Sequence, residues 1–339
     1  PDFAAGDQAV RRVRRARAGK SAGCVNAVLR AGARRRDELE PDPFADPVGY
    51  WTTVGSHPRW LVERWMARLG PEEAGRLMAA NNAVPPVTVL ANALKTRAED
   101  VLSALLGAVP DVVTGRFLPE AFSVWGAGGV TDLPGFAEGW LIPMDEAGAF
   151  PVLALDLSPG QRVLDACAGG GSKSALIAAR VGPEGEVVAL DSSPRAVRRL
   201  EAAVSRLGLA RVRPHLEDAR RAGALWPGQF SRVLLDAPCT GLGTIRRRPE
   251  IKGRRGPDDL ARAAALQGEL LAGVAGAVAE GGLLVYSTCS LEPEETDAVI
   301  AAFLVAHPEF RVEATWQGLP SEGGLVDGDG HLRAWPHRH

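Results

Sequence analysis

The sequence predicts an α/β fold whose core is a doubly wound, mostly parallel β-sheet. After residue 155, five short apolar runs alternate with amphipathic helical stretches. Near-continuous apolar strands joined by helical crossovers are typical of parallel sheets that are covered by helices on both faces. The length of 339 residues allows two or three domains, since one domain averages about 150 residues.

Each predicted strand of this sheet is rich in Val and Leu. The strands are predicted at residues 162–166, 187–191, 212–215, 232–236 and 283–287. A helix is predicted over 194–207, because Ser193 can cap it, Pro194 suits its first position and Gly208 ends it. A longer helix is predicted over 259–279, where apolar residues recur every three or four positions.

The first 150 residues lack this alternation, and we expect smaller units there. Residues 8–36 are predicted to be helical and to form part of a helical bundle, because one or two helices bury little core alone. Prolines between residues 41 and 47 predict a linker, and apolar stripes predict two helices within 58–80. A small α+β module is predicted from a strand at 87–91, a helix at 97–106, and short strands and loops over 107–150. The expected domains are therefore 1–40, 41–150 and 151–339.

The composition excludes several classes of protein. A net charge of −2 with 24% charged residues is not that of a long disordered chain. No apolar run reaches the roughly 20 residues of a transmembrane helix and no signal-peptide pattern is present, so we expect a cytoplasmic protein without a membrane partner. The four cysteines form no C-x-x-C pair, and no Cys/His cluster predicts a metal site. We further expect a monomer.

Basic residues are concentrated in two segments. Residues 11–36 contain ten basic residues and no acidic one, and residues 246–255 contain six against the single Glu250. Such clusters are typical of a surface that binds a polyanion, since the guanidinium group of arginine suits phosphate. A GC-rich genome would also explain 35 arginines beside four lysines. Composition alone leaves both interpretations open.

A glycine-rich turn connects the first strand of the predicted parallel sheet to the helix after it. Successive glycines let the backbone turn tightly and approach a ligand, with helix N–H groups pointing at it. The spacing is neither that of a Walker loop nor G-x-G-x-x-G, and a plain tight connection is the alternative. The candidate binding residues of this turn are Cys167, Ala168, Gly169, Gly170, Gly171, Ser172 and Lys173.

Two acidic residues follow along the same sheet. Asp191 ends the second predicted strand, where a carboxylate can accept hydrogen bonds from both hydroxyls of a ribose. Asp218 follows the third strand, where an adenine amino group is usually met in such folds. Asp191 could instead cap the next helix. Together with the glycine-rich turn, these carboxylates favour a nucleoside-type cofactor over a dinucleotide.

Two cysteines lie at the ends of the last two predicted strands. Asp236-Ala-Pro-Cys239-Thr-Gly241 ends the fourth strand, and Ser287-Thr-Cys289-Ser290 ends the fifth. Both thiols are expected at the site, because open α/β sheets hold ligands at the carboxyl ends of their strands. A single free cysteine is usually a small buried apolar residue, but two thiols beside polar residues favour a chemical role.

A thiol pair, a carboxylate and a nucleoside cofactor fit one covalent reaction. Addition of a thiolate to carbon 6 of a pyrimidine makes carbon 5 nucleophilic enough to attack an electrophilic methyl group. The second thiol can then remove the proton from carbon 5, while an aspartate can hold ring N3 and the amino group. Such a thiolate needs an activating cation or dipole, which the motifs do not identify.

These motifs resemble the RNA cytosine-5 methyltransferase family. DAPCTG and STCS, whose cysteines are 50 residues apart, carry the resemblance, and GTIRRRPEIK at 243–252 extends it. SAGCVNAVLR at 21–30 resembles the end of the antitermination-factor-like helical domain of the bacterial members that methylate 16S ribosomal RNA. The resemblance covers nearly the whole chain. It implies a Rossmann-like S-adenosylmethionine-dependent methyltransferase domain, preceded by a partial helical domain and a small α+β RNA-binding module, with 16S rRNA as partner.

The resemblance also implies roles for the motif residues. Cys289 would be the nucleophile, Cys239 would assist proton removal and product release, and Asp236 would contact the target cytosine and the methyl-donor pocket. The glycine-rich turn, Asp191 and Asp218 would bind S-adenosylmethionine. The same chemistry on tRNA or 23S rRNA and a catalytically weak RNA-binding scaffold are alternatives. A DNA methyltransferase is disfavoured by STCS and by the lack of a separable DNA-reading domain.

The glycine-rich turn departs from the family pattern at two positions. CAGGGSKS stands where the family usually has CAAPGGKT, so Gly170 replaces a proline and Ser172 replaces a glycine. If the position of Ser172 required positive φ, this residue would cost about 1 kcal/mol or more. The affinity for the cofactor would then be altered.

Overall fold

The structure, a computed structural model, describes residues 2–15, 21–35, 40–313 and 324–339. The chain divides into two units, Pro1–Asn82 and Ala83–His339, which are described separately. The three domains expected from the sequence remain a prediction. Over the described ranges, no helix has both the length and the apolar character needed to cross a membrane.

The first unit is helical. Its helices are α1 (Asp2–Arg15), α2 (Ala22–Arg34), α3 (Pro47–Thr53), α4 (Arg59–Leu69) and α5 (Pro71–Asn82). The helical prediction for 8–36 is met in its described part, and residues 16–20 and 36 lie outside it. The predicted linker already contains the start of α3, because Asp46 caps the helix by accepting a hydrogen bond from the Gly49 N–H at 2.8 Å. The antitermination-factor-like assignment remains a prediction.

A four-stranded antiparallel sheet and one helix form the small α+β module. Its elements are β1 (Val87–Ala91), α6 (Ala98–Leu106), β2 (Asp111–Thr114), β3 (Ala121–Trp125) and β4 (Leu141–Pro143). The strand order is β2-β3-β1-β4. Val101 and Leu105 of α6 pack on Val89 and Phe122 of the sheet and form a core of their own. The predicted strand at 87–91 and the predicted helix are confirmed.

The second sheet has five strands, all parallel, in the order β7-β6-β5-β8-β9. The strands are β5 (Arg162–Ala166), β6 (Glu186–Asp191), β7 (Val212–Leu216), β8 (Phe230–Asp236) and β9 (Val278–Ser287). The predicted doubly wound fold is confirmed. The chain runs outward from β5 to β7 and returns to the other side of β5 at β8. The crevice at this reversal is where open α/β sheets bind ligands.

Helices cover both faces of the parallel sheet. They are α7 (Glu146–Leu153), α8 (Ser172–Val181), α9 (Pro194–Leu207), α10 (Ala222–Leu225), α11 (Pro257–Ala275) and α12 (Asp297–Ala306). Helices α7 to α9 share one core with the sheet, and α10 to α12 share the other. Because successive strand residues face opposite sides, Val163 lies in the first core and Leu164 in the second.

The predicted long helix over 259–279 is wrong at its end. Helix α11 ends at Ala275, and Val278 already belongs to β9, where it pairs with Phe230. The apolar spacing of Val274 and Val278 continues the helical period, but Gly276 ends the helix between them. The prediction from periodicity therefore extended the helix into the strand that follows it.

The small module is attached to the parallel sheet by polar and cation–π contacts and by apolar packing. The Asn92 side chain donates to the carbonyls of Gly139 and Leu207, at 2.8 and 3.0 Å. Arg206 of α9 donates to the Phe136 carbonyl, and its guanidinium lies 4.0 Å from the centre of the Phe136 ring. Leu90 of β1 is buried in the core around α8. These contacts fix the module to the face of the sheet that carries α8 and α9.

Candidate active site at the carboxyl ends of the parallel strands

The glycine-rich turn runs from the end of β5 to the start of α8. Its backbone has positive φ at Cys167 (63°), Gly169 (60°) and Gly171 (84°). A Cβ at Gly171 would lie 2.5 Å from the Leu200 Cδ1 atom, so both the conformation and the packing require glycine there. Cys167 is the one non-glycine residue of this turn that bears the strain of positive φ.

The condition for backbone strain at Ser172 is not met. Ser172 is the first residue of α8 and has no positive φ, and its hydroxyl donates to the Pro143 carbonyl at 2.9 Å. The serine thus links the turn to β4 of the small module. At Gly170, the other departure, a Cβ would find no atom within 4 Å.

Asp191 holds the turn from the neighbouring strand. Its carboxylate accepts hydrogen bonds from the Gly169 N–H at 3.0 Å and from the Ser193 N–H at 2.8 Å. Asp191 thus orders the glycine-rich turn and also binds Ser193, which is itself the N-cap of α9. Its binding of ribose hydroxyls stays a prediction. Each carboxylate oxygen retains a lone pair for a ligand.

A cavity opens beside this turn at the carboxyl end of the sheet. It is lined by Cys167, Leu190, Asp191, Ser192, Asp218, Ala219, Arg220, Asp236, Pro238, Leu266 and Leu270. Acidic groups alternate with apolar side chains, which suits a ligand with hydroxyls, an amine and a flat apolar ring. Arg220 donates to Asp218 at 2.6 Å and to Glu269 at 2.8 Å, and its hydrogen bonds to Asp218 hold the pKa of that carboxyl below its usual value.

Lys173 and Ser287 converge on Asp236. The Lys173 amine donates to one carboxylate oxygen of Asp236, and the Ser287 hydroxyl donates to the other, each at 2.7 Å. Burial favours the neutral amine, but the charge and hydrogen bond of Asp236 outweigh it and raise the pKa of Lys173. Lys173 was predicted only as part of the glycine-rich turn that binds the cofactor, whereas its side chain reaches Asp236, at the start of the loop that carries Cys239.

The two cysteine loops meet in front of Asp236. The Sγ atoms of Cys239 and Cys289 lie 3.1 Å apart. Hydrogen bonding from Cys239 lowers the pKa of Cys289, and the charges of Lys173 and Arg248 lower it further against burial and Asp236. The pKa of Cys239 is raised, first by its hydrogen bond with Cys289 and then by burial. Of the two thiols, Cys289 therefore ionises the more readily.

Part of the basic segment 246–255 holds the protein together. Arg247 forms an ion pair with Asp145 and donates to the Pro86 carbonyl at 2.7 Å and the Thr88 hydroxyl at 3.0 Å. Arg246 donates to the carbonyl of Val84 at 3.3 Å. The hypothesis that this segment contacts RNA therefore rests on its other basic residues.

Residues 152–339 match the family described as 16S rRNA methyltransferase RsmB/F. The chain belongs to this family. Residues 57–131 match the ferredoxin-like domain of RsmF/B-like methyltransferases, in agreement with the antiparallel strand order of the small module. Membership of the RsmB/F family confirms the predicted resemblance and the predicted cofactor, S-adenosylmethionine.

Individual relatives agree with this assignment. The chain is 36% identical over 92% of its length to the probable ribosomal RNA small subunit methyltransferase B of Bacillus subtilis. It is 40% identical over 83% of its length to ribosomal RNA small subunit methyltransferase B of Pseudomonas syringae pv. tomato. It spans 70% and 62% of these two relatives. The crystal structure of PH0851 superposes with a TM-score of 0.78 at 31% identity, covering 94% of this chain and 71% of that one.

Residues of the RsmB/F motifs predicted for catalysis lie close together, and other residues of the site were not predicted. Arg248 and Ser287 contribute to the thiol and carboxylate environment described above. The sequence could have indicated Ser287, because this residue is the first of the STCS motif. It gave a misleading indication for Glu295, which lies in an acidic run typical of a solvated surface although its side chain is fully buried.

Asp165 is a buried acid beneath the glycine-rich turn. It is fully buried and accepts a hydrogen bond from the Ser174 hydroxyl at 2.5 Å. Burial raises the pKa of Asp165 to about 7, against the opposing effect of the Ser174 hydrogen bond. The side chain joins β5 to α8 and so supports the turn from below.

Proposed function

We propose that this chain transfers a methyl group from S-adenosylmethionine to carbon 5 of a cytosine in RNA, with 16S rRNA as substrate. The observation that carries the proposal is the thiol pair, with 3.1 Å between the Sγ atoms of Cys239 and Cys289. The pair lies beside Asp236, which also lines the cavity next to the glycine-rich turn. Two thiols, a carboxylate and a nucleoside site at one sheet edge suit methylation of a pyrimidine carbon.

Cys289 is the proposed nucleophile. It is exposed to solvent, whereas Cys239 is half-buried. The positive charges of Lys173 and Arg248 favour its thiolate, while the negative charge of Glu295 disfavours ionisation of Cys239. The thiolate adds to carbon 6 of the cytosine, forming a carbon–sulfur bond and leaving carbon 5 electron-rich.

Cys239 is proposed to remove the proton from carbon 5. Its pKa is raised mainly because a thiolate lies beside it. Once Cys289 is bonded to carbon 6, that negative charge is gone, and the pKa of Cys239 falls toward its ordinary value. Cys239 then releases its own proton to solvent and, as a thiolate, accepts the proton from carbon 5. The electrons of the carbon–hydrogen bond restore the double bond, and the Cys289 thiolate leaves.

Asp236 is proposed to orient the cytosine. Lys173 and Ser287 each occupy one of its oxygens, so the carboxylate is fixed and each oxygen retains a lone pair. Such an acceptor can bind the exocyclic amino group of cytosine, which uracil lacks. The two protein partners of Asp236 therefore support its predicted role.

The cavity beside the turn is the proposed site of the methyl donor. S-adenosylmethionine supplies an electrophilic methyl group when bound. Asp191, Asp218 and Cys167 of the glycine-rich turn line this cavity, and Leu266 and Leu270 form part of its apolar wall. Asp218 would share its acceptor oxygens with Arg220, which already donates to both.

Release of tritium tests the reaction and the position of methylation together. RNA with tritium at carbon 5 of its cytosines loses the label to water only if that carbon–hydrogen bond is broken. We expect release from 16S rRNA that requires S-adenosylmethionine. Methyl transfer without release would contradict cytosine-5 chemistry. Release from tRNA or 23S rRNA alone would assign a different substrate, and neither transfer nor release from any RNA would indicate a binding scaffold.

A further inference from the structure

A buried carboxylate connects the loops that carry the two cysteines. Glu295 belongs to a single helical turn, Pro293–Glu295, after β9, and it has no exposed surface. Its Oε2 atom accepts hydrogen bonds from the Thr240 N–H at 2.8 Å and from the Gln267 side-chain amide at 3.0 Å. Its Oε1 atom accepts from the hydroxyls of Thr240 and Ser290, the latter at 2.5 Å.

These partners are adjacent to the catalytic candidates in sequence. Thr240 follows Cys239 directly, and Ser290 follows Cys289 directly. Gln267 of α11 also donates to the carbonyl of Pro238, at 3.0 Å, and so fixes the residue before Cys239. One carboxylate thus binds both loops, at the residue next to each thiol.

The loops also meet directly at these two positions, where the hydroxyl oxygens of Thr240 and Ser290 lie 3.4 Å apart. Two backbone hydrogen bonds join the loops elsewhere. The Gly243 N–H donates to the Cys289 carbonyl at 2.9 Å, and the Ala237 N–H donates to the Ser287 carbonyl at 2.8 Å. Both fix the backbones of the two loops relative to each other. Glu295 adds the contacts at Thr240 and Ser290, where a small rotation of the backbone would move the preceding thiol.

We propose that Glu295 is a positioning residue that holds Cys239 and Cys289 within contact distance of each other. The inference rests on the proposed function, in which the thiols act as a pair. All four groups that bind Glu295 donate hydrogen bonds, which is what a buried carboxylate requires when no cation lies against it. The negative charge of Glu295 also opposes ionisation of Cys239.

Two substitutions separate the hydrogen bonds from the charge. Glu295→Gln keeps the shape, and its amide N–H groups can donate to the hydroxyls of Thr240 and Ser290, because a hydroxyl also accepts. Its amide oxygen still accepts from the Thr240 N–H and from Gln267. Glu295→Ala removes all the hydrogen bonds that the carboxylate accepts. Glu294→Ala, one residue earlier in the same turn, is the matched control.

Oxidation by diamide measures the contact between the thiols without RNA or cofactor. Diamide takes the hydrogens of two thiols, becomes a hydrazine and leaves a disulfide, which peptide mass spectrometry locates. We expect Glu295→Ala to slow formation of the Cys239–Cys289 disulfide by about tenfold or more, since misplacement by ~1 Å can cost 100-fold. Glu294→Ala is expected to match wild type, and Glu295→Gln to stay close to it. In methyl transfer, Glu295→Ala is expected to lower kcat with little change in the KM for S-adenosylmethionine.

Unchanged disulfide formation in a folded Glu295→Ala variant would overturn the proposal. So would a Glu295→Gln variant as slow as Glu295→Ala, because the charge alone would then be responsible. If Glu295→Ala does not fold, Ser290→Ala removes the hydrogen bond to Glu295 on the Cys289 side and leaves those on the Cys239 side. An unchanged rate of disulfide formation in Ser290→Ala would overturn the proposal equally. Fast coupling in a wild-type protein that methylates no RNA would refute the proposed function and leave the role of Glu295 standing.

Discussion

The amine of Lys173 lies 2.7 Å from the carboxylate of Asp236, although the two residues are 63 positions apart. Lys173 is the second residue of α8, and Asp236 is the last residue of β8. The ion pair therefore links the cofactor turn to the loop of Cys239. It also places a positive charge near Cys289, which supplies the activating cation that the motifs alone do not identify.

Replacing Lys173 by methionine is expected to raise the pKa of Cys289. The substitution removes a charge that lowers this pKa and leaves Asp236, which raises it, without its cation. Alkylation of Cys289 by iodoacetamide should then require a higher pH than in wild type, and methyl transfer should fall by roughly 100-fold or more. The control is Lys95→Met in the small module. An unchanged pH profile of alkylation would show that Lys173 does not activate the thiol.

Asp165 is expected to make the folded protein less stable as the pH rises. Its pKa is about 7 in the folded state against 3.8 for an ordinary aspartate, so between these values only the unfolded chain loses the proton. The contribution of Asp165 to the free energy of unfolding is fully present below pH 3.8. It declines between pH 3.8 and pH 7, by up to about 4 kcal/mol in total. Urea unfolding of Asp165→Asn at pH 5 and pH 8 should show a smaller decline than wild type. Equal declines would contradict the shifted pKa, and the exposed Asp111→Asn serves as control.

Two glycines with the same backbone conformation are expected to differ in their tolerance of alanine. Gly139 and Gly160 have φ of 80° and 82°, so each alanine costs about 1–2 kcal/mol in backbone strain. A Cβ at Gly139 would lie 2.1 Å from the Arg206 carbonyl oxygen, whereas at Gly160 nothing lies within 4 Å. Thermal unfolding should therefore show that Gly139→Ala lowers the free energy of unfolding by about 1–3 kcal/mol more than Gly160→Ala does. Equal losses would mean that the module is not packed tightly against α9.

The centre of the parallel sheet could be predicted closely because β5, β6 and β8 contain buried apolar runs, whereas the edge strand β7 is largely exposed. The predicted 162–166 and 194–207 coincide with β5 and α9, where the turn glycines and the cap of Ser193 mark the ends. The prediction was wrong where the end of a helix was overlooked. Val278 keeps the helical period of α11, but it lies after the terminal Gly276 and belongs to β9, where it pairs with Phe230 of β8. Helices α7 and α12 were not predicted.

The candidate site could be predicted only where its residues lie within motifs. Both cysteines and Asp236 belong to two strand ends, and topology brings strand ends together. Which side chains would meet was not visible. Lys173 reaches across from the cofactor turn, and Glu295 is buried in what the sequence presents as an acidic surface. Arg247 shows the opposite case, since part of a basic patch proved to hold the small module.

The most direct test of the central claim is the trapping of a covalent complex between protein and RNA. Wild type, Cys239→Ala and Cys289→Ala are incubated with 16S rRNA and S-adenosylmethionine, then separated under denaturing conditions. We expect wild type to methylate the RNA and Cys289→Ala to be inactive without any adduct. Cys239→Ala should accumulate a denaturation-resistant adduct, because it forms the bond to carbon 6 but lacks the base that releases it. An adduct in Cys289→Ala and none in Cys239→Ala would contradict the account and reverse the roles of the two thiols.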